Sequence, residues 1–414
     1  MLTVTVLVLT ATVFVLARLS SGKTSDLTRL QPVTAAIGQR ESESATAKAT
    51  EQVLPQTTAS LSAAEKIPET TEQPGKTFTI VAGGTVSLAG EIRSNSYYSD
   101  VKQYDYYDIM SLLRRDLQAD LSIVFLENIL STEQKATDII ASGAAVSMLK
   151  AAGVDAVACG FSRAFDKAEA GVLSTRKLLT EYGIRPVGIY EGDGTESARF
   201  MEINGIRIAV LQYTDTIAAA ARKSMVKNGQ NVMVPPADPD GIAADITKAR
   251  EQACDAVVVL LHWGKTGKVP DKDQRTLAQK IADAGADLII GCGSRIVSGA
   301  DTLTAAENGK NVLCVWSLGT VLSGDRSNIR RIAGILLHIT LFTKDGKTEI
   351  RDCSYTPLYT WKYKMDGRYY YRCLAANGTV PDGMDTDQQK SMKKAADVVR
   401  EAMKNSGMEE HRVE

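Results

Sequence analysis

Few side chains in this sequence stand where acid–base or metal chemistry is done. His262 ends the apolar run DAVVVLLH (255–262), and Glu127 ends another, LSIVFLE (121–127). A carboxylate and an imidazole brought together can pass a proton, activate water or hold a divalent ion. Each also has a plainer use: the imidazole as a hydrogen-bonded side chain shaping a strand end, the carboxylate as a helix cap or a partner for a cation. His262, His338 and His411 are the three histidines of the chain. A dinuclear centre that needs several imidazoles therefore cannot be assembled by this chain alone. The six cysteines, at 159, 254, 292, 314, 353 and 373, include no C-x-x-C pair, which argues against a zinc knuckle. Cys159 with Cys292, or Cys353 with Cys373, could form a disulfide if the domain lies in an oxidising compartment.

The elements that must position these groups alternate in kind. Strand candidates are FTIVAG (78–83), LSIVFLE (121–127), VDAVACG (154–160), IRIAVLQY (206–213), DAVVVLLH (255–262), ADLIIG (286–291) and NVLCVWSL (311–318). Helical stretches lie between them at 146–153, 172–183, 244–253 and 273–285. Fully apolar strands alternating with amphipathic helices predict sheets covered on both faces, an α/β layered fold with chemistry at the carboxyl ends of the strands. After Pro381 the spacing of Met392, Ala395, Ala396, Val399 and Met403 predicts an amphipathic helix.

Residues 1–17 carry no charged side chain and would span roughly 25 Å as a helix, which suits a signal-anchor or transmembrane segment closed by Arg18. From Val15 to Thr77 there is no aromatic residue, and ESESATAKATEQVLPQTTASLSAAEKIPETTEQPG (41–75) cannot bury enough apolar surface to offset its ordering entropy. The predicted layout is an anchor (1–18), a disordered stalk (19–76), a main domain (77–357), an aromatic hairpin (358–382) and a helical tail (383–414). Asp366-Gly367 marks the hairpin turn, and eleven of the fourteen tyrosines fall in two short segments, 95–109 and 354–373. With 48 basic and 49 acidic residues, the chain has no footprint for nucleic acid.

Read at the strand ends, the chain resembles the bacterial capsule-synthesis CapA family, or poly-γ-glutamate synthesis family, of calcineurin-like metallophosphoesterase fold. VAGGTVSLAG (81–90), DLSIVFLEN (120–128), VACGFSRAFDKAEAGVLST (157–175), LHWGKTGKVPDKDQRTLAQKIADAGADLIIG (261–291) and VWSLGTV (315–321) follow its motifs in order. The resemblance covers about residues 76 to 360. It implies a layered metallophosphoesterase-like domain of two sheets flanked by helices, held outside the cell in envelope polymer metabolism. It implies ligand positions too, most of which are changed here: Gly84, Phe125, Phe161, Ser162, Arg163, Gly293, Arg295 and Thr320 stand where the family has acid, amide or imidazole ligands. Glu127, Asp166 and His262 remain as candidate catalytic positions, with Asp166 expected to cap or orient the helix after it. One imidazole and two carboxylates are too few for a two-metal site, so no metal or other cofactor is expected.

Arg163 and Arg295 would replace lost cationic charge. Either they pair with Glu127 and Asp166, or they hold an anionic ligand without cutting it. The expected function is thus a degenerate, anchored family member that binds an anionic envelope polymer or a membrane partner protein. The alternative is a hydrolase or transferase with a reduced site around His262 and Glu127. The sequence leaves the oligomeric state open.

Overall fold

A computed structural model describes residues 75–133, 135–191, 200–217, 221 and 232–411. The expected anchor and nearly all of the expected stalk lie outside the described residues. Among the described residues no helix is long and apolar enough to cross a membrane.

Two mixed sheets form the frame. The first has nine strands, in the order Arg368–Ala375, Lys347–Met365, Ala333–Lys344, Lys76–Val86, Leu121–Leu126, Ala156–Ala158 and Arg185–Val187. Two short strands join it off this path, Thr320–Leu322 beside Lys76–Val86 and Glu409–Glu410 beside Lys347–Met365. The second sheet runs Phe200–Ile203, Ile206–Thr214, Ala256–His262, Leu288–Cys292, Asn311–Val315 and Ala300–Thr304, with its four middle strands parallel.

Side-chain alternation explains the layering, since successive residues of a strand point to opposite faces. Phe78, Ile80 and Ala82 enter the core between the sheets, while Val81 joins the core outside the first sheet. Val258 and Leu260 face that same inter-sheet core, and Val257, Val259 and Leu261 face the outer helices. Helices Ala144–Ala151 and Ala168–Glu181 cover the first sheet; Pro239–Glu251 and Lys272–Asp283 cover the second. Lys272–Asp283 starts at a capping box in which Asp271 and Gln274 satisfy each other's backbone N–H groups, so its buried stripe of Ala278, Ile281 and Ala282 is set in register with the sheet.

The aromatic hairpin is continuous with the main sheet. The Lys347–Met365 strand passes through residue 357 without a break, and Asp366-Gly367, both at positive φ, turn it into Arg368–Ala375. Helix Thr386–Met403 buries Met392, Ala395, Ala396, Val399 and Met403 in the inter-sheet core. All six cysteines are free, so neither candidate disulfide forms. Cys373 lies opposite Thr360, seven residues along the strand from Cys353, or about 23 Å at strand rise, beyond the reach of an S–S bond. Cys159 and Cys292 sit in different sheets, and each thiol has another partner, the Val157 carbonyl and the Thr85 hydroxyl.

Ending the chain at 357 removes strand partners and the covering helix together. Thermal melts followed by circular dichroism should show a cooperative transition for residues 75–411 and none for 75–357; an undiminished transition in the shorter chain would contradict this integration.

Candidate functional site

Parallel strands of both sheets deliver their last residues to one place. Thr85 comes from the end of Lys76–Val86, Glu127 follows Leu121–Leu126, and His262 and Cys292 close adjacent strands in register with each other. Glu127 is 6 % exposed and His262 7 %, while Thr85 and Cys292 are fully buried. The Glu127 carboxylate accepts from the Thr85 hydroxyl at 3.0 Å and lies 3.3 Å from His262 Nε2, both on Oε1. Its Oε2 accepts from Arg295, through Nε at 2.9 Å and through Nη2. One carboxylate thus ties the first sheet to two strand ends of the second.

The electrostatics follow from these contacts. Burial alone would raise the Glu127 carboxyl, but its interactions with His262 and Arg295 outweigh that and hold it well below the usual carboxylate range. Burial, helped by the Glu127 charge, pushes the Cys292 thiol up to about 12, so no thiolate nucleophile is available at neutral pH. Arg295 adopts the left-handed conformation at φ 58°, which costs a residue with a Cβ about 1 kcal/mol. Its ion pair, two nitrogens on the one oxygen Oε2, offsets that cost.

The residues at the positions where the resemblance implies ligands have other occupations. A side chain at Gly84 would overlap the Gly319 carbonyl, which instead accepts from Thr85 N at 3.0 Å, so backbone fills that space. The Thr320 hydroxyl donates to the carbonyls of Arg331 and Ala333. Phe161 sets its ring edge-on to His262 at a centroid distance of 6.4 Å. Gly293, at φ 111°, makes the sharp turn that returns Arg295 toward Glu127. Glu127 and His262 Nε2 are already committed to one another, and a guanidinium supplies positive charge beside them. This set does not fit a resident divalent ion, and among the described residues no group of three acidic, His or Cys side chains is placed to hold one.

Arg163 and Asp166 stand apart from this cluster. Arg163 is exposed and donates from Nε to Asp166 at 2.6 Å, a pair closed within one turn. The two arginines expected to act together therefore separate, because the loop turns at Phe161–Ala164 and Arg163–Asp166 direct Arg163 toward its own neighbour. Asp166 does not cap the following helix, whose N-terminus has no side-chain cap. Thr175 works inside the fold, donating to Gly171 and accepting from Leu130 N.

Three supporting residues escaped the sequence reading. Thr85 lies inside a quoted motif but was overshadowed by the glycine before it. Asp215 accepts from Gly264 N at 2.9 Å and fixes the turn after His262-Trp263. Gln212 clamps both backbone groups of Gly160 at the end of the neighbouring sheet. A polar residue at the end of an apolar strand was the available signal for each.

The fold and site define a layered α/β protein whose strand-end centre is closed by a carboxylate–imidazole–guanidinium cluster. Its lineage is also clear. The sequence profile described as bacterial capsule synthesis protein PGA_cap matches residues 79–325, more than half of the chain, and the chain belongs to that family. It is similar to the capsule biosynthesis protein CapA of Bacillus anthracis, 28 % identical over 179 residues, covering 42 % of this chain and 41 % of the relative. It is also similar to the PGA biosynthesis protein CapA of Bacillus subtilis (strain 168), 34 % identical over 127 residues, covering 29 % and 32 %. The chain thus spans less than half the length of these relatives. Among solved structures, the calcineurin-like phosphoesterase YfkN from Bacillus subtilis superimposes with a TM-score of 0.40 at 14 % identity, covering 79 % of this chain and 100 % of that one. A hypothetical protein from Thermus thermophilus gives 0.37 at 16 % identity, covering 71 % and 99 %. Superpositions this loose carry no argument about the site; the layered fold stands on its own strand order.

The two arginines should differ in substitution. Arg295→Ala strands the buried Glu127 charge and should cost about 2 kcal/mol in urea unfolding, less than a fully buried pair because Arg295 is itself partly exposed. Arg163→Ala breaks an exposed pair and should cost less than about 0.5 kcal/mol. Equal costs would contradict the assignment.

Proposed function

We propose that this chain is a membrane-anchored, extracellular family member that binds an anionic envelope polymer, poly-γ-glutamate being the first candidate, without cleaving it. One observation carries the reading: the Glu127 carboxylate is held by Arg295, a fixed cation that cannot activate water as a metal would. Around it lies a cationic rim. Arg331 sits over Gly267, Gly267 N donates to the Ser294 carbonyl beside Arg295, and exposed Lys265 and Lys268 bound the same turn. Arg331, Lys265 and Lys268 form no direct ion pair among the described residues, although the Asp325 carboxylate interacts with Arg331 and Arg295. A row of carboxylates would suit such a rim, with affinity that falls as salt rises. The names of the two relatives supply the capsule and PGA context. On this reading residues 1–17 hold the chain in the membrane and residues 19–76 lift the domain from the lipid; a membrane partner protein is the other candidate for the rim.

One feature favours a working reduced site. His262 Nδ1 is buried with no hydrogen-bond partner while Nε2 faces Glu127, an arrangement in which the imidazole could accept a proton. Calorimetric titration of poly-γ-glutamate into the protein, with size analysis of the polymer afterwards, separates the readings. Binding should weaken with salt and fall about fivefold in Arg331→Ala, with polymer length unchanged. Shortening of the polymer that disappears in His262→Gln would overturn the binding reading in favour of hydrolysis.

A further inference from the structure

After helix Thr386–Met403 the chain doubles back across the edge of the first sheet. Glu409–Glu410 pairs in parallel with Ser354–Tyr355, occupying the edge that Arg368–Ala375 leaves free beyond its Ala375–Leu358 pair. Residues 406–408 of this segment form one wall of a cavity of about 460 Å³, whose other walls include Leu313, Ile350, Cys353 and Lys310. Met408 packs there against the inter-sheet core.

Four attachments hold the segment down. The parallel pairing is extended by His411 N donating to the Tyr355 carbonyl at 2.8 Å. Asn377 donates to Glu410 Oε1 and to the His411 carbonyl. Arg400 grips Glu410 with two hydrogen bonds, at 2.6 and 2.9 Å. Lastly, the His411 ring stacks on His338 with centroids 4.5 Å apart and planes 26° from parallel. Two of the chain's three histidines thus meet at the end of this strap.

We propose that segment 404–411 is an acid-released strap: protonation of His338, on which His411 stacks, loosens it and opens the cavity beneath Met408. The groups facing the pair are unevenly placed. Asp116 acts on His411 from the segment that covers this face of the sheet, and Glu410 with Arg400 forms a neutral pair beside it. His338 is partly buried, with Thr356 Oγ1 2.9 Å from its Nε2, and among the described residues no carboxylate acts on it. A proton on His338 would lie under the His411 ring, 4.5 Å away, with little water between. Burial and the His411 charge accordingly hold His338 down at about 4. Once the strap lifts, His338 is less covered and takes up a proton more readily than it does beneath the closed strap. Opening is therefore favoured as pH falls from about 6.5 towards 4 and disfavoured at neutral pH.

Cys353 gives the readout, since it is the one partly exposed thiol of the six and lines the cavity. The full chain is treated with a dithiodipyridine, which reacts at acid pH. The rate is corrected with Cys353→Ser and expressed relative to glutathione at the same pH, which removes the change in thiolate fraction. Between pH 7.5 and 5.0 the relative rate should rise about tenfold in the wild type. In His338→Gln, which keeps a hydrogen-bonding group opposite Thr356, the rise should vanish, whereas His411→Gln, altered at an exposed position, should shrink the rise without abolishing it, because burial acts on His338 as well. A flat wild-type rate would overturn the proposal. So would an equal rise in both variants, or modification of Cys292 and Cys314 in step with Cys353, which signals global unfolding.

Discussion

A buried carboxylate must be answered by donors and positive charge, and in this protein Glu127 is answered from three directions at once. Thr85 donates from the first sheet, while His262 and Arg295 approach from the second. Charge taken out of water costs several kcal/mol unless its partners are well placed. The contact therefore constrains how the two sheets meet where their parallel strands end. Gly84 leaves room for the Gly319 backbone, Gly293 makes the turn to Arg295, and Asp215 fixes the turn after His262.

The same contacts bear on how this centre would meet a divalent ion. A divalent ion needs carboxylates and imidazoles whose lone pairs are free to point inward. Here both Glu127 oxygens are already occupied by donors, one of them by the Arg295 guanidinium. What remains open is the rim: Arg331 and the 264–268 turn present charge to solvent without burying it.

Much of this was legible in the sequence because fully apolar runs leave few alternatives. Val257 to Leu261 is uniformly apolar since one face meets the other sheet and the opposite face meets helices. Reading strands from such runs stopped at 311–318 and set the aromatic hairpin apart. It passed over Ala333–Lys344, whose burial turns to alternation along its length, although that strand joins Lys76–Val86 to the hairpin. At the site, Glu127, His262 and Arg295 came from motif order and do meet. Arg163 did not join them, because a motif locates a residue along a loop without saying which way the loop turns it. Hydrogen bonds from Ala164 N to Phe161 and from Asp166 N to Arg163 decide that direction, and such local turns leave little mark on residue type.

Arg295 standing in for a metal ion at Glu127 is the central claim. Its most direct test is elemental analysis of the protein purified without chelators and dialysed against metal-free buffer, with Arg295→Ala in parallel. Zinc, manganese and iron should lie far below one ion per chain in the wild type. Near-stoichiometric metal in the wild type, lost on Glu127→Gln, would contradict the claim.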